Sequence, residues 1–177
     1  MPDNRIRMTT GAVFAVCTLL VSGCSASDDP KELMASTVTI ANQWASAADS
    51  GMAGMAGVFG TISNKGDHEV RIVSGESPIA GRVEVHEVVP DATGAMTMRP
   101  KAGGLAVPAG GSREFIPGGD HLMLMDLEQP LQPGADVSLT VEFEDGSTVP
   151  VTAQIRDFAG ANEEYTPGGA GSGGGHH

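Results

Sequence analysis

The chain has 177 residues, the length of one ordinary domain and not comfortably two. It carries 22 acidic against 10 basic residues, a formal net charge of -12, and only 4% of its residues are aromatic. Phosphate backbones need a basic face and bare bases need aromatic stacking platforms, so this composition argues against nucleic acid as a partner. Apolar residues make up 40% of the chain, which is enough to build a core.

The N-terminus has the composition of an export signal. A short basic region precedes an apolar run over residues 11–21 that is too short to span a bilayer well. Small residues then lead into Cys24, as in a bacterial lipobox, which implies cleavage before Cys24 and lipid on its thiol. We therefore predict a signal peptide over 1–23, a polar tether over 24–36, and an envelope protein anchored to the outer face of the cytoplasmic membrane or in the periplasm. An ordinary secretory signal with a chance cysteine is the alternative.

Cysteine usage restricts the metal chemistry of the exported domain. Cys17 lies within the predicted signal and Cys24 would carry lipid, so the mature domain keeps neither a free thiol nor a disulfide. A metal site in that domain must use His, Met, Asp or Glu side chains.

After residue 36 the chain is dominated by short alternating runs separated by Gly, Pro, Asn and Asp, which predicts an antiparallel sandwich or barrel over 37–158. The predicted strands are 37–42, 56–63, 69–74, 81–89, 95–99, 105–107, 112–115, 121–126, 137–144 and 148–157. One helical turn is predicted near 42–49. A flexible Gly-rich tail is predicted over 159–177.

Histidine and methionine collect on one face of a predicted strand. Residues i and i+2 of a strand share a face about 6.5–7 Å apart, so His121, Met123 and Met125 lie together. Leu122 and Leu124 occupy the opposite face, which is the natural core face.

Met96 and Met98 are paired in the same way, and His86 lies on the strand face opposite Val83 and Val85. Thioether sulfur is soft and uncharged and favours Cu(I) over Zn(II) or Ca(II). Methionine on a strand is most often core packing, however, and an isolated histidine is usually a surface residue. Spacing alone therefore leaves both interpretations open.

The stretch from His86 to Met123 resembles the PCuAC family of periplasmic copper chaperones. The family signature is a His, a later Met and a final His-x-Met, and the matching residues are His86, Met98, His121 and Met123. Further matching segments are Met96–Pro100, Val107–Gly111 and Phe115–Gly119. The likeness extends over residues 37–157.

This resemblance implies a cupredoxin-like antiparallel β-sandwich that holds one Cu(I) ion with those four residues. It also implies delivery of copper to the CuA site of cytochrome c oxidase, with oxidase subunit II and a Sco-type protein as partners. Met96 and Met125 are expected to form a hydrophobic collar or to serve as auxiliary donors. His176 and His177 either bind Cu(II) weakly or have no role.

Two departures from the family pattern affect this interpretation. Glu87 stands where the family often has Met after the first His. The interval between Met98 and His121 is one residue longer than the family spacing. We expect the Gly118–Asp120 loop to absorb that residue, because a register shift would turn His121 to the core face.

Side chains near these residues carry weaker expectations. Glu84 is either a solvated residue or a hydrogen-bond partner of a His86 ring nitrogen. His68 is expected to be solvated. Met52 and Met55 are expected to be packing or loop residues, with a transient copper contact as the alternative.

An enzyme is not expected, because the chain has no Gly-x-Ser-x-Gly, phosphate-binding loop or His-Glu-x-x-His motif. Blue-copper electron transfer needs a Cys thiolate, which the mature chain lacks. Two alternatives to delivery stay open: a lipid-anchored sandwich for protein interaction, and copper storage.

Overall fold

The computed structural model describes residues 32–158 and 164–165. Its elements are α1 (Met34–Thr37), β1 (Val38–Ser46), β2 (Gly51–Asn64), β3 (Val70–Glu76), β4 (Ala80–Pro90), β5 (Met96–Pro100), β6 (Leu105–Val107), β7 (Ser112–Phe115), β8 (His121–Leu127), β9 (Asp136–Phe143), β10 (Thr148–Arg156) and β11 (Glu164–Tyr165). The predicted signal peptide, Cys17, Cys24, His176 and His177 lie outside the described residues. In the described part, no helix is both long and apolar enough to cross a membrane.

Seven strands form a closed circuit in the order β4-β8-β2-β1-β10-β9-β3, and β3 pairs back with β4. The β1–β10 pair is parallel, and the other pairs of the circuit are antiparallel. Strands β5, β6 and β7 extend from β4, β3 and β2. The predicted all-β, cupredoxin-like sandwich is thus confirmed.

The apolar interior is divided into two clusters. The main cluster contains Leu122 and Leu124 of β8 and Val83 and Val85 of β4, and none of its buried members among the described residues is a methionine. The second cluster consists of buried Met98, Met123 and Met125, with Met55 and Val88 packed against it. The alternation along β8 therefore separates leucines from methionines, as the pleat of a strand requires.

The helical turn predicted near residues 42–49 is wrong. Residues 42–46 belong to β1, and the α-helix that the structure describes is α1. Asn42 has a φ of 57°, and the register between β1 and β2 shifts between Ala41 and Trp44. A bulge with a left-handed Asn bends a strand without ending it and breaks its alternation, which explains the misleading pattern.

Two other strands lie partly or wholly outside the predicted strand limits. Strand β2 begins at Gly51, so it includes Met52 and Met55, which were expected in a loop or in packing positions. Within the predicted tail, β11 pairs in parallel with β5, with Tyr165 opposite Met98.

Candidate metal centre

The register of two neighbouring strands brings the two histidines together. In the antiparallel β4–β8 pair, His86 lies directly opposite His121, and their ring centroids are 5.9 Å apart. Both rings are buried, with 0% exposure for His86 and 4% for His121. They are therefore not the solvated surface histidines of the alternative interpretation, and a buried polar ring needs partners inside the protein.

His121 directs one nitrogen at a sulfur. Its Nδ1 lies 3.0 Å from the carbonyl oxygen of Gly119, and its Nε2 lies 3.1 Å from Sδ of Met98. A carbonyl oxygen only accepts, so Nδ1 carries a proton. In the neutral form of the ring, the Nε2 lone pair would face the sulfur. Metal–nitrogen and metal–sulfur bonds of about 2.0 Å and 2.3 Å, the lengths known for zinc, place two ligands of one ion at most about 4.3 Å apart. One ion can therefore bind both atoms.

A closed loop before β8 holds this geometry. The N–H of Ile116 donates to the carbonyl of Asp120 at 2.8 Å, and the N–H of Gly119 donates to the carbonyl of Ile116 at 3.1 Å. Gly118 has a φ of 73°, a left-handed conformation that glycine adopts without strain. His121 lies on the methionine face, as expected if this loop accommodates the extra residue of the Met98–His121 interval.

The second sulfur lies on the same side of the sheet. Met123 is paired with Gly57 of β2 and Glu84 of β4, and both Met98 and Met123 are 7% exposed. A cleft of about 170 Å³ opens beside them. Its walls are Ser46, Met55, Gly57, Phe59, Met98, Pro117, Gly118, His121, Met123 and Phe158. Three of the four predicted ligands line this cleft, and His86 lies fully buried next to His121.

An aromatic wall stands beside the cleft. The Phe59 ring centroid lies 5.8 Å from that of His121 and 4.5 Å from that of Trp44. Phe158 packs edge-on against Trp44 at 5.3 Å. Phe59 packs beside the His121 ring and, held in turn by Trp44, limits the movement of that ring.

A charged ladder continues from His86 along β4. Oε2 of Glu84 lies 2.9 Å from Nε2 of His86, and Oε1 of Glu84 accepts from Arg82 at 2.8 Å. Arg82 also donates to Asp126 at 3.0 Å. Of the two expectations for Glu84, the structure supports the hydrogen-bond partner, because residues i and i+2 share a strand face. Carboxylates in this position fix the orientation of ligating imidazoles.

A lysine bridge joins the two segments that lie next to His86 and His121. This bridge was not predicted from the sequence. Nζ of Lys101 lies 2.9 Å from Glu87 and 3.0 Å from Asp120. The hydrogen bond from Lys101 lowers the pKa of Glu87, against the effect of burial. Burial by itself lowers the pKa of Lys101, but hydrogen bonds with both carboxylates outweigh it, and the net pKa is raised.

The substitution Lys101→Met should lower the free energy of unfolding by about 1 kcal/mol at pH 7. The folded-state pKa of Glu87 is depressed, so its contribution is present above its ordinary value of 4.5 and is lost as the pH falls through the folded pKa. The folded-state pKa of Lys101 is raised, so its contribution holds below 10.5 and is lost at higher pH. Urea unfolding over a pH series that falls from pH 7 to below the Glu87 transition measures the difference in unfolding free energy from wild type, with exposed Lys65→Met as control. A difference that stays constant over the whole series would contradict this prediction.

The remaining candidates differ in their burial and in whether they line the cleft. Met96 is 50% exposed and outside the methionine cluster, while Met125 is buried within that cluster without lining the cleft. His68 is exposed beside Asp67, as expected. Among the described residues, no group of three or more His, Cys, Asp or Glu could hold a metal ion.

The closed sandwich has the fold of PCuAC domains. The copper-bound PCuAC domain from PmoF2 matches with a TM-score of 0.55 and 21% identity, over 68% of this chain and 93% of that chain. The Cu(I) form of DR1885 from Deinococcus radiodurans matches with a TM-score of 0.51 and 27% identity, over 68% of this chain and 80% of that chain. The predicted resemblance to the PCuAC family is confirmed.

The chain belongs to the family described as "Putative lipoprotein LpqE-like", which matches residues 38–155. A curated relative, "Putative lipoprotein Lxx21020" of Leifsonia xyli subsp. xyli, is 37% identical over 163 residues, which is 90% of this chain and 96% of the relative.

Proposed function

We propose that this protein is a Cu(I)-binding metallochaperone of the cell envelope. One observation carries the proposal: Nε2 of buried His121 faces Sδ of buried Met98 at 3.1 Å. A thioether offers little as a hydrogen-bond acceptor but much as a ligand for a soft cation. Copper is here the cargo of the protein and not a resident catalytic group.

The proposed ligands of one Cu(I) ion are His86, Met98, His121 and Met123. Two imidazoles and two thioethers bind without losing protons and leave the site with the +1 charge of the ion. The surrounding apolar cleft suits this low charge, whereas Zn(II) or Ca(II) would need harder or anionic donors. Met125 would then pack behind the sulfurs as a hydrophobic collar. Met96 would be at most an auxiliary donor.

Delivery of the ion is supported by the accessibility of the cleft. Met98, His121 and Met123 all line it, so an incoming ligand can replace them one at a time. We propose that the recipient is the CuA site of cytochrome c oxidase subunit II, reached directly or with a Sco-type protein, as the resemblance implies. The LpqE-like lipoprotein family supports an anchor at Cys24 and a location in the envelope. No step of this proposal requires an enzymatic reaction.

An anaerobic titration of a chain beginning at Ser25 tests the proposal. With a chromophoric Cu(I) chelator as competitor, we expect one tightly bound equivalent and shifts of the Met98 and Met123 methyl resonances. Absence of binding would reject the chaperone and leave the anchored interaction module. A separate titration with Cu(II) tests the tail. One weakly bound equivalent that disappears in the double variant His176→Ala/His177→Ala would assign Cu(II) binding to these two histidines.

Delivery and storage differ in their effect on the cell. If the protein delivers copper, its deletion should lower cytochrome c oxidase activity, and added copper should restore it. If it stores copper, deletion should leave the oxidase unchanged and raise sensitivity to copper.

A further inference from the structure

We propose that Met55 is an entry donor, which takes Cu(I) at the outside of the cleft and passes it to the buried ligands. The inference rests on the proposed function and adds a residue outside the family signature. It follows from the distribution of methionines, the position of Met55 and the shape of the surface around it.

The buried methionines of the described residues all lie in the second cluster, whereas Met34 packs only partly buried against the main cluster. If methionine served here only to fill gaps, it would also occur among the buried residues of the main core, where the described residues show Val, Ile, Leu, Phe and Ala instead. The second cluster holds Met98, Met123 and Met125, and Met55 packs against it. Four thioethers therefore lie together on one side of the molecule, and only two of them are in the proposed ligand set.

Met55 is the outermost of these four residues. It is half-buried, whereas the other three are buried. Its register partner is Met125 of β8, and it lines the cleft together with Met98 and Met123. Gly57 follows on the same face of β2, and the tip of the Phe59 ring lies over it.

A second depression reaches Met55 from outside. It is lined by Ala48, Asp49, Ser50, Gly54 and Met55, so Met55 is the residue that the two depressions share. Asp49 is exposed and anionic and attracts a cation toward this entrance. A flexible thioether at the junction of two depressions can contact an ion in either one.

The transfer is a ligand exchange without redox change. A bond from Sδ of Met55 to Cu(I) forms as a bond to the ligand that brought the ion breaks. A bond from Met98 or Met123 then forms, and the Met55 bond breaks as His121 and His86 complete the site. Copper stays in the +1 state, and the exchange from one thioether to the next moves no proton because a thioether has none to lose. Release follows the same steps in reverse.

This role affects rates and not equilibrium. In Met55→Leu, the rate constants for Cu(I) uptake from and release to a bathocuproine-type chelator should both fall about tenfold, while the affinity changes less than threefold. Met34→Leu is the matched control: the residue is partly buried like Met55, but it packs against the main cluster and lines neither depression, so its rates should equal wild type. Stopped-flow absorbance measures both rates. Met-to-Leu changes conserve side-chain volume. Melting curves check that each variant retains the fold. Met55→Ile serves as a second variant at the same position.

Each outcome of this experiment is decisive. Equal rates in Met55→Leu and Met34→Leu, with normal binding by wild type, would overturn the inference and leave the proposed function intact. A large loss of affinity in Met55→Leu would also overturn it, because Met55 would then be a resident ligand. Failure of wild type to bind Cu(I) would reject the proposed function itself.

Discussion

Replacement of Met98 by leucine is expected to weaken Cu(I) binding by at least about 100-fold, because loss of a supporting partner alone often weakens metal binding 10–100-fold. Leucine keeps the volume and the apolar character of the side chain, so packing in the methionine cluster should change little. What disappears is the soft donor 3.1 Å from Nε2 of His121. Leucine cannot replace this donor, since its hydrocarbon side chain offers no lone pair.

Met96→Leu provides the matched control for this effect. The residue lies on the same strand and the same face, two positions away, but it is exposed and outside the methionine cluster. We expect its affinity to stay within threefold of wild type. A second pair, His121→Leu against exposed His68→Leu, tests the nitrogen donor in the same way. Competition titrations with a Cu(I) chelator give the affinities. Equal affinities of Met98→Leu and Met96→Leu would show that Met98 only packs.

Gly57→Ala, which adds one methyl group, is the second substitution with a large expected effect. A Cβ at this position would lie 2.5 Å from Cζ of Phe59, which is far inside van der Waals contact. The ring has little freedom to retreat, because Trp44 and His121 pack around it. Gly57→Ala should therefore destabilise the fold by about 1–3 kcal/mol and displace His121 from Met98.

A double-mutant cycle separates this clash from other causes. Phe59→Leu removes the ring tip and should by itself cost up to about 1.5 kcal/mol. Because it also makes room for the new methyl group, the double variant Gly57→Ala/Phe59→Leu should be more stable than the sum of the single effects predicts. Urea unfolding gives the free energies, and Cu(I) titration reports on the cleft. Strict additivity would mean that the two positions do not interact.

Strand alternation and turn residues were sufficient to predict most of the sandwich. The runs at β6 and β7 were predicted with their observed limits, and β8 differs by one residue at its end. The separation of Leu122 and Leu124 from Met123 and Met125 also followed from the period of two. These features are local, so one stretch of sequence contains all the information they need.

Features that depend on distant pairings were missed. The bulge at Asn42 interrupts the alternation of β1, and the composition of the 51–55 segment resembles a loop although it pairs with β8. The bridge from Lys101 to Glu87 and Asp120 joins three segments whose register cannot be read from one sequence. The juxtaposition of Met98 and His121 came from a family resemblance, because spacing alone does not fix which strands are neighbours.

Separation of the sulfurs from the main core has a consequence for oxidative damage. Exported proteins meet oxidants that convert methionine to its sulfoxide, a polar group that has lost the soft thioether lone pairs. An oxygen added at the cleft would put a polar group into the second cluster and leave the main cluster unmodified, because no buried member of the main cluster among the described residues is a methionine. Oxidation there would thus strike the proposed copper ligands, and reductive repair of the sulfoxide would restore their soft lone pairs.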